Sequence, residues 1–206
     1  VALKRERALL ARLRYGLHLV ARRPEERLRF DYQKTLAARL GFEDDVESLA
    51  VEKMMQGFYR AATVIRRISE RLLQRFEEQF DGSAVPEPLT VGFALRRGFL
   101  AAEDAQWPGQ DMGQVFALFA SWANNPPVRG LHSMTARALA EALPGLAAFD
   151  QAEPGVRDQF MALLRGARPV DTLSRMARLG VLGQWVPAFA QVSGRMQFDL
   201  FHVYTV

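Results

Sequence analysis

Three histidines, His18, His132 and His202, are the residues best suited by type to acid–base or metal chemistry, and each stands alone in the sequence. No His-Asp dipeptide occurs and there is no cysteine, so neither a hydrolase-type metal set nor a thiolate site can be built from chain neighbours. None of the three has the close carboxylate or cysteine neighbour that a metal site or an activated nucleophile would show. His18, beside Tyr15 on a leucine-rich stretch, reads as a core or interface histidine. His132, between Leu131 and Ser133, reads as a residue at a helix start, and His202 as a packing or hydrogen-bonding side chain. Gly82-Ser83 could grip a phosphate, but two-metal phosphoryl transfer also needs converging carboxylates. No acidic pair follows, the residues at 91–93 being Val91, Gly92 and Phe93, so Gly82-Ser83 reads as a helix stop. Asp44-Asp45 lacks the spacing of a calcium loop, and no glycine-rich phosphate loop is present. The remaining polar group of interest is Arg27, Asp31, Tyr32 and Gln33. Arg27 and Asp31 are four apart, so on a helix they face the same way and can pair.

These residues have to be positioned by helices, because apolar periodicity near 3.6 dominates the chain. Leu10, Leu13, Leu17 and Val20 share one face of a first helix. Pro24 suits a first helical position, and Glu25 and Glu26 suit the positive end of a helix dipole. That second helix is expected to run from there to Leu40 and to stop at Gly41 in a left-handed cap. A third helix starts after an N-cap at Ser48 and continues to Phe80. Met55, Phe58, Ala62, Ile65, Leu72 and Phe76 form its stripe, with Ser69 the one polar member. Residues 83–89, with Pro86 and Pro88, read as a linker. Thr90 to Leu95 and Phe99 to Ala102 flank Arg96-Arg97-Gly98, the pattern of a small β-hairpin. Asp111 is placed to cap a helix carrying Val115, Phe116, Leu118, Phe119 and Trp122. Shorter helices follow over 133–143, 155–164 and 170–179. The fold class expected is all-α: a long-helix bundle and a shorter-helix bundle with one small β-hairpin. The boundaries expected are 1–80 for the first, 81–110 for the linker with its hairpin, 111–195 for the second, and 196–206 for the start of something further.

With 206 residues, 49% apolar and 24% charged, the chain has the composition of an ordinary globular protein with a real core. The absence of cysteine suits a reducing compartment. Arginines interrupt every apolar run before the ~18 residues a membrane span needs, and Val1 to Arg7 is too charged to open a signal peptide. A cytoplasmic protein without a membrane partner is expected. The net charge of +4 is modest, and Arg66, Arg67, Arg71 and Arg75 alternate with Glu70, Glu77 and Glu78. That is a solvated helix face rather than a basic stripe, so no nucleic-acid partner is expected.

The last residues are the most specific. Gly194 to Val206, running through Met196-Gln197-Phe198-Asp199-Leu200-Phe201-His202-Val203-Tyr204-Thr205, closely resemble the entrance to the HD phosphohydrolase domain of the bifunctional PII uridylyltransferase/uridylyl-removing family. Leu13 to Leu19 with Arg27 to Gln33, Val51 to Met55 with Tyr59-Arg60, and Leu179 to Gly183 with Val186 to Phe189 match in the same order. The resemblance covers essentially the whole chain. It implies a central helical region after a nucleotidyltransferase domain and before the HD domain, within an enzyme that uridylylates PII from UTP and hydrolyses uridylyl-PII. By that implication both catalytic centres lie outside this chain, which itself carries no cofactor, while the parent uses magnesium or manganese. The adjacent nucleotidyltransferase and HD domains, and PII through the parent, are the partners implied. Arg27, Asp31, Tyr32 and Gln33 would support the uridine-nucleotide pocket from the helical side, or else simply lock the second helix to its neighbours. Phe198, Phe201, His202 and Tyr204 would contact the neighbouring hydrolase domain. A stand-alone helical interaction scaffold and a basic nucleic-acid module are the alternatives from other classes.

Overall fold

A computed structural model describes residues 2–80 and 85–195. The chain divides into two units, residues 1–70 with 192–206, and residues 71–191. The expected interdomain residues Phe198, Phe201, His202 and Tyr204 lie outside the described residues.

The first unit is built on α1 (Ala2–Ala21), α2 (Phe30–Arg39) and the first part of α3 (Ala50–Phe80). Leu13 and Leu17 of α1, Leu36 and Ala37 of α2, and Val51, Met54 and Met55 of α3 form its core, with Leu10 and Val20 packed at the edge. This is the leucine face read from the sequence. The first two helices approach closely at Gly16, where a β-carbon would come within 2.7 Å of the Leu36 methyl. The α2 helix ends as expected: Gly41 has φ +79°, and the Phe42 amide donates to the Ala37 carbonyl at 3.0 Å. Its start differs. Residues 24–29 are irregular and α2 begins only at Phe30. The glutamates assigned to a helix dipole are instead taken by arginines. Glu25 pairs with Arg23 at 2.7 Å and Glu26 with Arg14 at 2.6 Å.

The α3 helix starts without help from Ser48. Asp44 accepts from the Ala50 amide at 2.6 Å, and Glu52 from the Leu49 amide at 2.9 Å. Of the expected stripe, Met55 is buried and Phe58 packs on the core edge, but Leu72 and Phe76 are exposed. The single buried face predicted along the whole helix therefore holds only for its N-terminal part.

The second unit centres on α4 (Met112–Asn124), which is apolar almost all round and therefore buried. Asp111 caps it, accepting from the Gly113 amide at 2.7 Å, as its position in the sequence predicts. Val115, Phe116, Leu118, Phe119 and Trp122 are all in the core. Around α4 lie α5 (Ser133–Ala142), α6 (Pro154–Arg165), α7 (Pro169–Leu179) and the short α8 (Val181–Trp185), with α9 (Pro187–Val192) following. Trp185 is fully buried, its ring edge-on to Phe116 at 4.9 Å and to Phe149 at 5.4 Å.

The hairpin is part of a small mixed sheet of order β1-β2-β3-β4, made of Glu87–Thr90, Phe93–Arg96, Phe99–Ala102 and Gly130–Leu131. Arg97 and Gly98 both have positive φ, the two-residue turn that matches strand twist. Residues 90–95 are not one strand, because Gly92 (φ +81°) turns the chain between β1 and β2. The fourth strand joins β3 in parallel after the α4 crossover. The fold is thus predominantly helical with a minor β element, larger than the hairpin expected.

Candidate functional site

Arg27 lies where α1 turns into α2, among arginine–glutamate pairs. Arg22 has φ +56°, and the turn it opens is held by ion pairs rather than by helix. Glu25 accepts from the Arg27 amide at 3.0 Å as well as from Arg23. Those two bonds, the backbone one foremost, hold its carboxyl below the usual range. Glu26 is held down in the same way, chiefly by Arg14, and lies 3.4 Å from His18 Nε2. His18 is therefore an interface histidine on a carboxylate.

The structure separates the four residues of the expected cluster. Arg27 lies in the turn, outside α2, so its spacing to Asp31 is not a helical one. Asp31 pairs instead with Arg29, at 3.4 Å. Both Arg27 and Asp31 are exposed, whereas Gln33 is buried and donates to the Leu28 carbonyl at 3.1 Å. Tyr32 packs on the edge of the core and adds to the field that raises the Arg23 pKa, after Glu25. Tyr32 and Gln33 thus anchor a turn whose guanidinium groups face solvent. Such a turn can meet an anionic group on another molecule or domain.

A second polar constellation, in the other unit, was hidden in the sequence. Glu78 near the end of α3 receives both the backbone N–H and the hydroxyl of Ser133, the first residue of α5, the amide bond being 2.9 Å long. Gln74, one turn earlier, donates to the same carboxylate at 2.9 Å and to the Leu131 carbonyl. His132 Nε2 lies 3.4 Å from Glu78. Serine, histidine and a carboxylate together invite comparison with a nucleophilic triad, but the order is wrong for one. In a triad the histidine lies between serine and acid. Here the carboxylate is in the middle, and His132 Nδ1 accepts from the Met134 amide at 3.4 Å, so its free lone pair is spent capping α5. The Ser133 hydroxyl donates directly to the Glu78 carboxylate, with no histidine between the two. Burial, opposed by Glu78 and assisted by Arg96, holds the His132 pKa below its ordinary value. The cluster is a clamp on a helix N-terminus, where a carboxylate satisfies otherwise unpaired donors. The helix-start role read for His132 is what the structure shows. Glu78 was missed because its spacing to neighbouring arginines reads as a solvated face.

Among the described residues no group of three or more His, Asp or Glu side chains is placed to hold a metal ion. No described helix is long and apolar enough to cross a membrane.

Comparison with known proteins accounts for nearly all of the chain. Residues 1–73 match a family described as "GlnD PII-uridylyltransferase", and residues 93–185 one described as "Uridylyltransferase GlnD third domain". A bifunctional uridylyltransferase/uridylyl-removing enzyme of Xanthomonas euvesicatoria is 74% identical over 205 residues, covering 100% of this chain and 24% of its own length. One from Xanthomonas campestris is 75% identical with the same coverage. A Thiobacillus denitrificans enzyme of the same description is 40% identical over 204 residues, 98% of this chain and 24% of its own. The chain thus spans about a quarter of the length of these relatives. No solved structure matches it.

Proposed function

Because the chain belongs to the bifunctional uridylyltransferase/uridylyl-removing family, of which it spans about a quarter, we propose that it is a helical connecting region of such an enzyme. The parent transfers uridylyl groups from UTP to PII and removes them by hydrolysis, and this region joins the nucleotidyltransferase and HD domains while carrying neither catalytic centre. The observation that carries the reading is an identity of 74–75% across the whole chain at only 24% coverage of the relatives. The order of matched families, one ending at residue 73 and the next starting at residue 93, supports a composite of two helical regions. Magnesium or manganese, which the parent uses, would be held by carboxylates and histidines elsewhere in the longer polypeptide.

The α1–α2 turn is the part of this region proposed to serve the nucleotide. Its exposed Arg27 is free of the expected Asp31 pair and can approach an anionic group, while Tyr32 and Gln33 fix the turn from behind. These are positioning roles.

An assay of the isolated chain with UTP, magnesium or manganese, and purified PII or uridylyl-PII tests the proposal. No turnover is expected in either direction. Turnover that rises in proportion to chain concentration and survives re-purification would overturn it.

A further inference from the structure

The last turns of α3 are amphipathic in the reverse of the usual sense. Within the second unit, Leu72, Leu73, Phe76 and Phe80 are 55%, 63%, 50% and 89% exposed. At 100° per residue these four fall within a single arc about 100° wide. Gln74 and Glu78 lie on the opposite side, and it is this polar side that the unit grips, through Ser133 and Leu131. A surface helix normally buries its apolar stripe and wets its polar one. Here hydrogen bonds on the polar side hold the apolar side outward. The spacing continues the alternating three-and-four pattern that runs through Phe58, Ala62 and Ile65, the pattern that seats a second helix. Arg75 and Glu77, both exposed, flank the stripe on opposite edges.

We propose that this face is the seat of an amphipathic helix supplied by another part of the full-length enzyme, outside the quarter that this chain represents. The proposal rests on the reading of the chain as a region of that longer enzyme. The occupant is argued from three observations. The relatives hold a stretch 74–75% identical to this chain within about four times its length, so most of their polypeptide is available to cover it. The stripe has helix-pairing spacing rather than the form of a flat patch. Its edges carry opposite charges, which orient a partner helix that has an acidic edge toward Arg75 and a basic edge toward Glu77. An apolar patch rimmed by such charges marks an interaction surface.

The test uses the full-length enzyme with the photoreactive residue p-benzoylphenylalanine in place of Leu73, followed by mass-spectrometric identification of the cross-linked peptide. The expected product is an intramolecular cross-link to a helical segment outside residues 1–206. Adding Phe76→Asp should reduce its yield about tenfold or more, because a carboxylate would face an apolar partner. A second probe at Phe80 should reach the same partner helix one to two turns away. A cross-link to a second polypeptide, a cross-link to residues 196–206, or the absence of any partner at both positions would overturn the proposal. Both activities are assayed in the same preparation. Activity without the cross-link rejects the docking alone, whereas loss of both activities from an unmodified enzyme containing this region would reject the functional reading.

Discussion

Glu78 and Ser133 are joined twice, carboxylate to backbone amide and carboxylate to hydroxyl, across 55 residues of sequence. This is how the end of α3 is fixed to the start of α5. The carboxylate supplies the acceptor that the first turn of a helix lacks, in the position where the helix dipole favours a negative charge. Because Gln74 and His132 converge on the same group, removing it leaves several donors unmatched at once.

Glu78→Ala should therefore destabilise the second unit by about 1–3 kcal/mol, the cost of leaving buried donors unsatisfied. Glu78→Gln, which keeps an acceptor oxygen, should cost less. Urea melts followed by far-UV circular dichroism measure both. An alanine variant within about 0.5 kcal/mol of the parent would show that the clamp does not stabilise the fold.

His132 predicts a dependence on pH. Its folded pKa is depressed below the ordinary value of 6.5, chiefly by burial, with Arg96 adding and Glu78 opposing. The unfolded chain therefore takes up the proton first as the pH falls. The contribution is fully present above about pH 6.5 and is lost as pH falls from there through the lowered folded value. His132→Asn keeps a capping oxygen but does not titrate, so it should flatten the melting temperature between neutral pH and about pH 5. An equally steep acid-side loss in the variant would show that another group is responsible.

The two ends of α3 should respond differently to truncation. Met54→Ala, in the N-terminal part, empties a fully buried site and should cost about 2–5 kcal/mol. Phe76→Ala removes a half-exposed ring and should cost well under half of that in the isolated chain. Equal losses in parallel urea melts would mean that the exposed stripe is covered.

In the full-length enzyme, Arg27→Ala should raise the KM for UTP in uridylyl transfer and leave uridylyl removal unchanged. Arg27→Lys should restore part of the loss, since a charge is kept while the guanidinium fork is not. An unaltered KM for UTP with Arg27→Ala would leave the α1–α2 turn as a purely structural anchor.

Much of this architecture was legible because it is local. The Gly41 cap, the Asp111 cap, the all-apolar α4 and the leucine face of α1 each depend on residues within a few positions of one another. The misreadings share a different cause. Pro24, Glu25 and Glu26 carry a good helix-start signal, but Arg14 and Arg23 claim the carboxylates from outside the segment. Periodicity extends the stripe of α3 to Phe76 because it records which residues share a side, not which side is covered. The side was decided by Glu78 and its partner far along the chain. Strand β4 is two residues long and exists only through its parallel pairing with β3. In the candidate site, Tyr32 and Gln33 follow the α1–α2 turn, but the Arg27–Asp31 pair requires a helix that starts only at Phe30.

In its proposed role this region positions two catalytic domains without supplying a catalytic group. The most direct measurement is kcat for both activities of the full-length enzyme, at saturating substrates, with each of His18, Asp44, Asp45 and Glu26 changed to alanine and His132 to asparagine. Values within about tenfold of the parent are expected throughout, since loss of a general acid or base costs about 10²–10⁴-fold. A single folded variant whose kcat falls by about a thousandfold in either direction of the reaction cycle would place a catalytic group in this chain and contradict that role.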